Sequence, residues 1–258
     1  MTPRTANILN AALDNWRDWD TGSENSISLV PRVIKRLTGG LTNETFLVAS
    51  GDLRAVVRVH TAHTNALGIS REREQRLLSV LQPSGCVPRL LFNDADVQVT
   101  QLMEGRHLTR NDLKDRFIQR QVENSIECIQ SYSVSNMTKR NYKDYINLYS
   151  DQLPNFEGLS EIELAASWID IDQWIPVISH HDLVLENIIF NEKDIFFIDW
   201  EYAHLGHPLI DHVKLFGRDY CVDRWDYQTI DALDILQRGI TKLWYALQER
   251  LQNSDPVV

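Results

Sequence analysis

The stretch ISHHDLVLENIIFNEKDIFFIDWE, which ends at Glu201, limits the possible folds of this chain more than any other segment. It contains two short apolar runs, IIF and IFFI, which are bounded by Asp182, Asn187 and Asp199. Short apolar runs between turn residues predict two β-strands that pair in a tight hairpin. Because a hairpin brings its two ends together, we expect the polar side chains there to form a functional site rather than part of a core.

The spacing of these polar residues, His180-x-Asp182-x4-Asn187 followed by Asp199, indicates phosphoryl transfer. That chemistry needs a carboxylate that orients the attacking hydroxyl and accepts its proton, and oxygen ligands that hold Mg²⁺ against the phosphates. We predict the first role for Asp182 and the second for Asn187 and Asp199. His180, grouped with the catalytic residues, is expected to brace the loop rather than to react. The alternative is that these are ordinary cap and turn residues, as most Asp and Asn in loops are.

The remaining segments predict an α+β chain with two parts. In residues 1–103, helical spacing at 5–18 and 70–82 accompanies strand-like segments, which are SLVPRVIKRL, ETFLVAS, RAVVRVH, VPRLLFND and VQVTQLM. In residues 104–258, the hairpin is the only clear strand pattern, and apolar residues have helical spacing at 111–132, 139–152 and 226–252. We therefore predict a small β-rich lobe followed by a larger, mainly helical lobe.

Charge and cysteine content restrict the partners and the compartment. The net charge of -10 at pH 7 argues against nucleic acid or an anionic membrane as the main partner and suits a cationic small molecule. Cys86, Cys128 and Cys221 match no metal-ligand spacing and are expected to be reduced thiols. The N-terminal residues lack a signal-peptide pattern and no window has the length of a membrane span, so we expect a cytoplasmic location. The oligomeric state is left open.

Several segments resemble those of a known superfamily. HHDLVLEN and IDWE are similar to the catalytic loop and the metal-binding segment of aminoglycoside phosphotransferases and choline kinases. RLTGGLTNETFLV resembles the nucleotide-covering hairpin of choline and thiamine kinases, AVVRVH their third strand, and GCVPRLLFND the segment before their hinge. IDWEYAHLGHPLIDHV is most similar to bacterial choline kinases of the lipopolysaccharide-modifying type and to bacterial thiamine kinases. The resemblance implies a two-lobed, protein-kinase-like fold that uses ATP and Mg²⁺.

The resemblance also implies a set of nucleotide contacts. Arg58 occupies the place of the strand lysine that touches the phosphates, and its planar fork binds phosphate differently from a lysine. We expect its ion-pair partner to be Glu74 rather than Glu72, because Glu74 falls on the leucine-bearing side of the helix. The other expected contacts lie in the hairpin loop and the hinge, and are Gly39, Gly40, Thr42, Asn43, Gln101, Leu102 and Met103.

Aromatic residues in the second half of the chain are candidates for holding a cationic substrate. A quaternary ammonium or thiazolium group is attracted to each aromatic face by roughly 0.5–2 kcal/mol. The alternative for each tryptophan is a place in the hydrophobic core. The substrate site is predicted to combine aromatic and acidic residues, which are Trp200, Glu201, Tyr202, Asp211, Trp225 and Trp244.

These observations and the resemblance predict an ATP- and Mg²⁺-dependent kinase that phosphorylates a hydroxyl of a small cationic alcohol. The resemblance favours a choline- or ethanolamine-like alcohol, with thiamine as the next alternative and an aminoglycoside as a further one. A hypothesis of another class is a non-catalytic member of the fold that binds nucleotide or ligand. The similar proteins usually carry an acidic residue where this chain has His207, so the contacts just after the metal segment are expected to differ.

Overall fold

A five-stranded antiparallel sheet forms much of the first hundred residues of the computed structural model, which describes residues 1–22, 29–37, 43–60 and 65–254. The strand order is β1-β2-β3-β5-β4. Each strand matches a segment that the sequence predicts to be a strand, although β2 and β3 each begin one residue before the predicted segment. Their bounds are Arg32–Leu37 for β1, Asn43–Ser50 for β2, Leu53–His60 for β3, Leu90–Asn93 for β4 and Val97–Gln101 for β5.

Two helices flank this sheet and belong to different hydrophobic clusters. Helix α1, Pro3–Asp14, packs its leucines in a cluster with the apolar side chains of β2, β3 and β5. Helix α2, Arg71–Leu81, begins where the Ser70 side chain accepts a hydrogen bond from the Arg73 backbone N–H. Its buried leucines pack instead with apolar residues of the second half of the chain. Helix α2 therefore connects the sheet with the rest of the molecule.

The second half of the chain is mainly helical, as predicted, but three of its helices were not revealed by the sequence pattern. Two of them, at Ile210–Phe216 and Arg218–Cys221, are short. The third, α5 at Leu159–Ile171, buries Ala166 and Ile169 but leaves Leu164 and Ile171 exposed, so its apolar residues do not form one stripe. The other helices are α3 at Arg116–Ser131, α4 at Tyr142–Ser150, α6 at Ile210–Phe216, α7 at Arg218–Cys221 and α8 at Tyr227–Ser254.

The prediction of a single strand pair in this half was incomplete. The predicted hairpin is present, and a further strand joins it to make the sheet β6-β8-β9, while β7 and β10 form a separate antiparallel pair. Strands of two or three residues are too short to show a periodic pattern, so only tertiary packing defines them. Their bounds are Arg106–His107 for β6, Val177–Ser179 for β7, Ile188–Phe190 for β8, Ile195–Phe197 for β9 and His204–Gly206 for β10.

The β8–β9 hairpin fixes the relative position of two predicted metal ligands. Ile188 pairs with Phe197 in the register, so Asn187 and Asp199 lie at the same end of the hairpin. The Ile198 N–H donates to the Asn187 carbonyl at 3.0 Å, which extends the pairing to that end. None of the helices in the described part of the chain combines the length and the apolar character that a membrane span requires.

Candidate active site

The loop that precedes Asp182 is held by a buried carboxylate. Asp211, at the start of α6, accepts the backbone N–H groups of His180 at 2.7 Å and His181 at 2.8 Å. His181 has φ of 65°, and the two hydrogen bonds hold the chain in this left-handed conformation. Asp211 was predicted to bind substrate. Its buried carboxylate instead holds the loop that precedes Asp182, because both of its oxygens accept hydrogen bonds from backbone N–H groups.

His180 and Trp200 brace the same loop from the other side. The His180 Nε2 atom lies 2.8 Å from the Ile198 carbonyl oxygen, and the ring packs on Trp200 with centroids 4.8 Å apart. This is the bracing role predicted for His180. Trp200 was predicted to contact substrate, but it is 1% exposed and donates through Nε1 to the Phe197 carbonyl at 2.8 Å. The structure therefore places Trp200 in the core, next to the predicted metal ligand Asp199.

The structure brings Asp182, Asn187 and Asp199 together at one cavity. Asn187 Nδ2 donates to the Asp182 carbonyl oxygen at 2.9 Å and lies 3.5 Å from Asp182 Oδ2. Because this amide nitrogen is engaged, the Asn187 Oδ1 atom is the one that can serve as a ligand. Asp199 has φ of 64°, and 41% of its side chain faces the open cavity. All three groups line the same cavity.

Burial and the neighbouring carboxylates disfavour the charged form of Asp199. Its position deep in the cleft and the neighbouring Glu201 carboxylate raise the pKa of Asp199 to about 7, although Arg58 opposes this shift. Within the described residues, no group of three or more His, Cys, Asp or Glu side chains is arranged to hold a metal ion. Two oxygen ligands, one from Asn187 and one from Asp199, suit Mg²⁺, which usually keeps waters and binds substrate phosphates beside one or two protein ligands.

Arg58 on β3 is the centre of a buried ion-pair network. Its Nη1 atom donates to Asp199 Oδ1 at 2.8 Å, and its Nη2 atom donates to Glu74 and, at 2.9 Å, to Gln98 Oε1. Burial lowers the pKa of Arg58, but the carboxylates of Glu74 and Asp199 outweigh it and the net direction is upward. The expected Arg58–Glu74 pair is present, with Glu74 1% exposed. The exposed Glu72 lies outside this buried network.

A second arginine, which the sequence interpretation did not identify, extends this network. Arg71 Nη1 lies 3.1 Å from both Glu74 Oε2 and Glu201 Oε2, and its Nη2 atom donates to Asn43 Oδ1 at 2.9 Å. Asn43 Nδ2 in turn donates to Glu201 Oε2 at 2.9 Å. The network therefore joins the start of β2 to the segment that follows Asp199. Arg71 stands in a run of alternating charges, which is typical of a solvated helix face and conceals such a role.

The other predicted nucleotide contacts belong to the hairpin loop and the hinge. Gly39, Gly40 and Thr42 lie outside the described residues. In the predicted hinge, the N–H of Gln101 donates to the Arg89 carbonyl at 2.8 Å and that of Leu102 to the Arg54 carbonyl at 3.0 Å. An adenine contact in this segment would therefore use other backbone groups, in Met103 or in the hinge carbonyls.

The cavity has a volume of about 430 Å³ and is lined by acidic side chains and by a group of aromatic side chains, the aromatic wall. Its carboxylates include Glu201 and Asp182, and its cation-attracting rings include Tyr202 and Trp244, which are joined by a hydrogen bond of 2.6 Å from Trp244 Nε1 to the Tyr202 hydroxyl. The lining residues that sequence reasoning did not assign to the site are Tyr145, His181, Val184, Glu186, Lys214, Ile240, Thr241 and Tyr245. Most lie on helices far from the motif, so no local pattern marks them.

Two residues on the C-terminal side of Asp199, His207 and Trp225, have structural roles. Trp225 was predicted to contact substrate but is not among the described residues that line the cavity, and its ring packs on His207 at 5.0 Å. His207 is fully buried, receives a hydrogen bond at Nδ1 from the Leu209 N–H at 3.1 Å, and also packs on Trp174. Burial lowers the pKa of His207 to about 4. A neutral imidazole between two tryptophans is a core contact.

One protein family and several known proteins are similar to this chain. A model of the choline/ethanolamine kinase family matches residues 34–245 of the chain. Ethanolamine kinase 1 of Mus musculus is 26% identical over 212 residues, which cover 71% of this chain and 58% of the mouse protein. Protein LicA of Haemophilus influenzae is 25% identical over 214 residues, which cover 74% of this chain and 62% of that protein. The chain therefore spans less than two thirds of the length of these curated relatives.

Solved structures share the fold. A structure of LicA in complex with AMP has a TM-score of 0.71 at 20% identity, over 94% of this chain and 90% of that chain. A ternary complex of aminoglycoside phosphotransferase APH(4)-Ia with AMP-PNP and hygromycin B has a TM-score of 0.64 at 15% identity, over 86% of this chain and 90% of that chain. The α+β, kinase-like fold predicted from the sequence is thereby confirmed.

Proposed function

This chain belongs to the choline/ethanolamine kinase family, and from that premise we propose that it transfers the γ-phosphoryl group of ATP to a hydroxyl of a small cationic alcohol. The observation that supports the proposal most directly is the meeting of Asp182, Asn187 and Asp199 at one cavity, with Arg58 bonded to Asp199. These are the groups that phosphoryl transfer needs from a protein. In this proposal residues 1–103 form the nucleotide-binding lobe, and residues 104–258 form the lobe that carries the catalytic residues and binds the acceptor.

In the proposed reaction, each group has a separate task. Asp182 accepts a hydrogen bond from the acceptor hydroxyl, orients its oxygen toward the phosphoryl group and takes its proton. Arg58 binds the nucleotide phosphates and is itself held by Glu74. Asn187 and Asp199 would hold Mg²⁺, which when bound neutralises negative charge on the phosphates.

The aromatic wall of the cavity supports a cationic acceptor. Tyr202 and Trp244 stand next to each other in the wall, and Tyr145 and Tyr245 complete its aromatic surface. The relatives in the family include proteins named ethanolamine kinase and LicA, and a solved LicA is described as a choline kinase. We therefore propose a choline- or ethanolamine-like alcohol first. Thiamine, whose ring is also cationic, is the next candidate, and an aminoglycoside is a further one.

The proposal is tested by ATP consumption with Mg²⁺ against a panel that contains choline, ethanolamine, thiamine, an aminoglycoside and several sugars. We expect turnover on one cationic alcohol and its loss by at least about a hundredfold in Asp182→Asn, since general-base contributions reach about 10²–10⁴. ATP binding, followed by thermal shift with Mg²⁺, should persist in that variant. Binding of ATP without turnover of any alcohol would contradict the proposed activity and favour a non-catalytic binding protein.

A further inference from the structure

The acceptor cavity contains a lysine for which the proposed reaction has no task. Lys214, on α6, places its Nζ atom 3.6 Å from Asp182 Oδ1. The same atom donates to Thr241 Oγ1 at 2.8 Å, and the Thr241 hydroxyl donates to the Gln237 carbonyl at 2.9 Å. Only 13% of the Lys214 side chain is exposed. The ammonium group is therefore fixed on α8, beside the predicted base, rather than free in solvent.

The two oxygens of Asp182 face different groups. Oδ2 lies toward the Asn187 amide on the predicted metal side, whereas Oδ1 lies toward Lys214. Lys214 thus stands on the side of Asp182 that faces away from the predicted metal ligands. Among the described residues that line the cavity, Lys214 is the one fixed cation, because burial and the nearby Arg140 keep the pKa of His181 well below its ordinary value.

We propose that Lys214 is a positioning residue that holds Asp182 for the acceptor hydroxyl and, through the same charge, weakens the binding of a cationic acceptor. The proposal rests on the function proposed above. Attraction between the ammonium and Oδ1 restricts the rotation of the carboxylate, which favours the transfer step. The same ammonium repels the positive charge of the acceptor, since both occupy one partly buried cavity. Loss of Lys214 therefore changes kcat and KM in directions that a purely structural residue would not produce.

The test compares Lys214→Met with Lys242→Met, which removes an exposed lysine of α8 that is not among the described residues lining the cavity. For Lys214→Met we expect kcat to fall about tenfold while KM for the cationic alcohol falls about threefold, a split that separates transition-state from ground-state effects. With 3,3-dimethyl-1-butanol, an uncharged analogue of choline, kcat should fall but KM should stay unchanged. Lys214→Arg should restore most of kcat and keep KM high. Lys242→Met should match the unchanged protein.

The outcomes separate this inference from the proposed function. If the unchanged protein turns over a cationic alcohol but Lys214→Met behaves like Lys242→Met, the inference is wrong and the proposed function stands. A fall in kcat with equal rises in KM for both alcohols would also overturn it, since that result indicates a structural role.

A measurement without turnover tests the pairing itself. A double-mutant cycle compares the thermal unfolding midpoints of four proteins. These are the unchanged protein, Asp182→Asn, Lys214→Met and the double variant. Non-additive shifts support the pairing of the two side chains. Additive shifts overturn the inference even if no alcohol in the panel is phosphorylated, whereas inactivity of the unchanged protein alone contradicts only the proposed function.

Discussion

Glu74 is the residue on which the charge balance of the site depends. Its carboxylate lies between two guanidinium groups, those of Arg58 and Arg71, and is almost completely removed from water. Burial of three charges is tolerated only when each has a partner, and removal of one partner leaves the others uncompensated. The position of Glu74 on the leucine-bearing side of α2 explains why the sequence could distinguish it from Glu72.

The first prediction concerns this carboxylate. Glu74→Gln should lower the free energy of unfolding by about 3 kcal/mol, because two buried arginines lose their shared counter-charge. Glu72→Gln changes an exposed carboxylate on the same helix and should change the free energy of unfolding by less than about 0.5 kcal/mol. Urea unfolding of the two variants measures the difference. Equal losses would show that the buried network does not contribute to stability.

The second prediction concerns the pH dependence of metal binding at Asp199. The pKa of this carboxyl is raised to about 7, so below that pH the metal-free protein holds it protonated. A metal ligand must be deprotonated, so the affinity for Mg²⁺–ADP should rise with pH through 7 and level off by about pH 8. Below the pKa, each unit of pH should cost up to about tenfold in affinity.

Calorimetric titration between pH 6 and 8 measures this dependence. Asp199→Asn serves as the control, because titration of the nucleotide phosphates is present in both proteins while titration of residue 199 is lost. If the pH dependence is the same in both proteins, the prediction for Asp199 fails.

At the scale of elements, the parts that the sequence predicts are those with a local signal. The β8–β9 hairpin shows two apolar runs and carries Asn187 and Asp199 at its ends, so one stretch defines both the strands and the predicted metal ligands. Strands β7 and β10 have no such signal, because each is defined only by its antiparallel pairing with the other. Lys214 and Tyr145 reach the cavity from separate helices, and their approach depends on packing that no spacing in the sequence encodes.

The third prediction tests how α6 supports the catalytic loop. In Asp211→Asn the side chain keeps only one good acceptor, so one of the N–H groups of His180 and His181 loses its partner. An unsatisfied buried donor costs about 1–3 kcal/mol of stability, and misplacement of Asp182 should lower kcat by about ten- to a hundredfold. Asp219→Asn removes a fully exposed carboxylate in the next helix, α7, and should leave both quantities unchanged. Similar values for the two variants would refute the support role.

At the scale of the whole molecule, one hydrophobic cluster contains residues from both sides of the predicted boundary at residues 103 and 104. The five-stranded sheet and α1 share one hydrophobic cluster, which contains Leu9 and Val57. Helix α2 precedes the boundary, yet Leu77 and Leu78 belong to the same hydrophobic cluster as Phe197, which is close to the predicted metal ligand Asp199. The network from Arg58 to Glu74 therefore connects the sheet to a helix that is anchored in the second half of the chain.

This arrangement predicts that substitutions of two buried leucines have different effects on activity, although both destabilise the fold. Leu77→Ala and Leu9→Ala each create a cavity and should each lower the free energy of unfolding by about 2–5 kcal/mol. Only Leu77→Ala should lower kcat/KM for MgATP, by about tenfold, because α2 then holds Glu74 and Arg58 less firmly against the metal segment. The assay is run at a temperature where unfolding curves show both variants to be folded. Equal losses of activity would mean that stability alone, and not the anchoring of α2, couples the two clusters to the site.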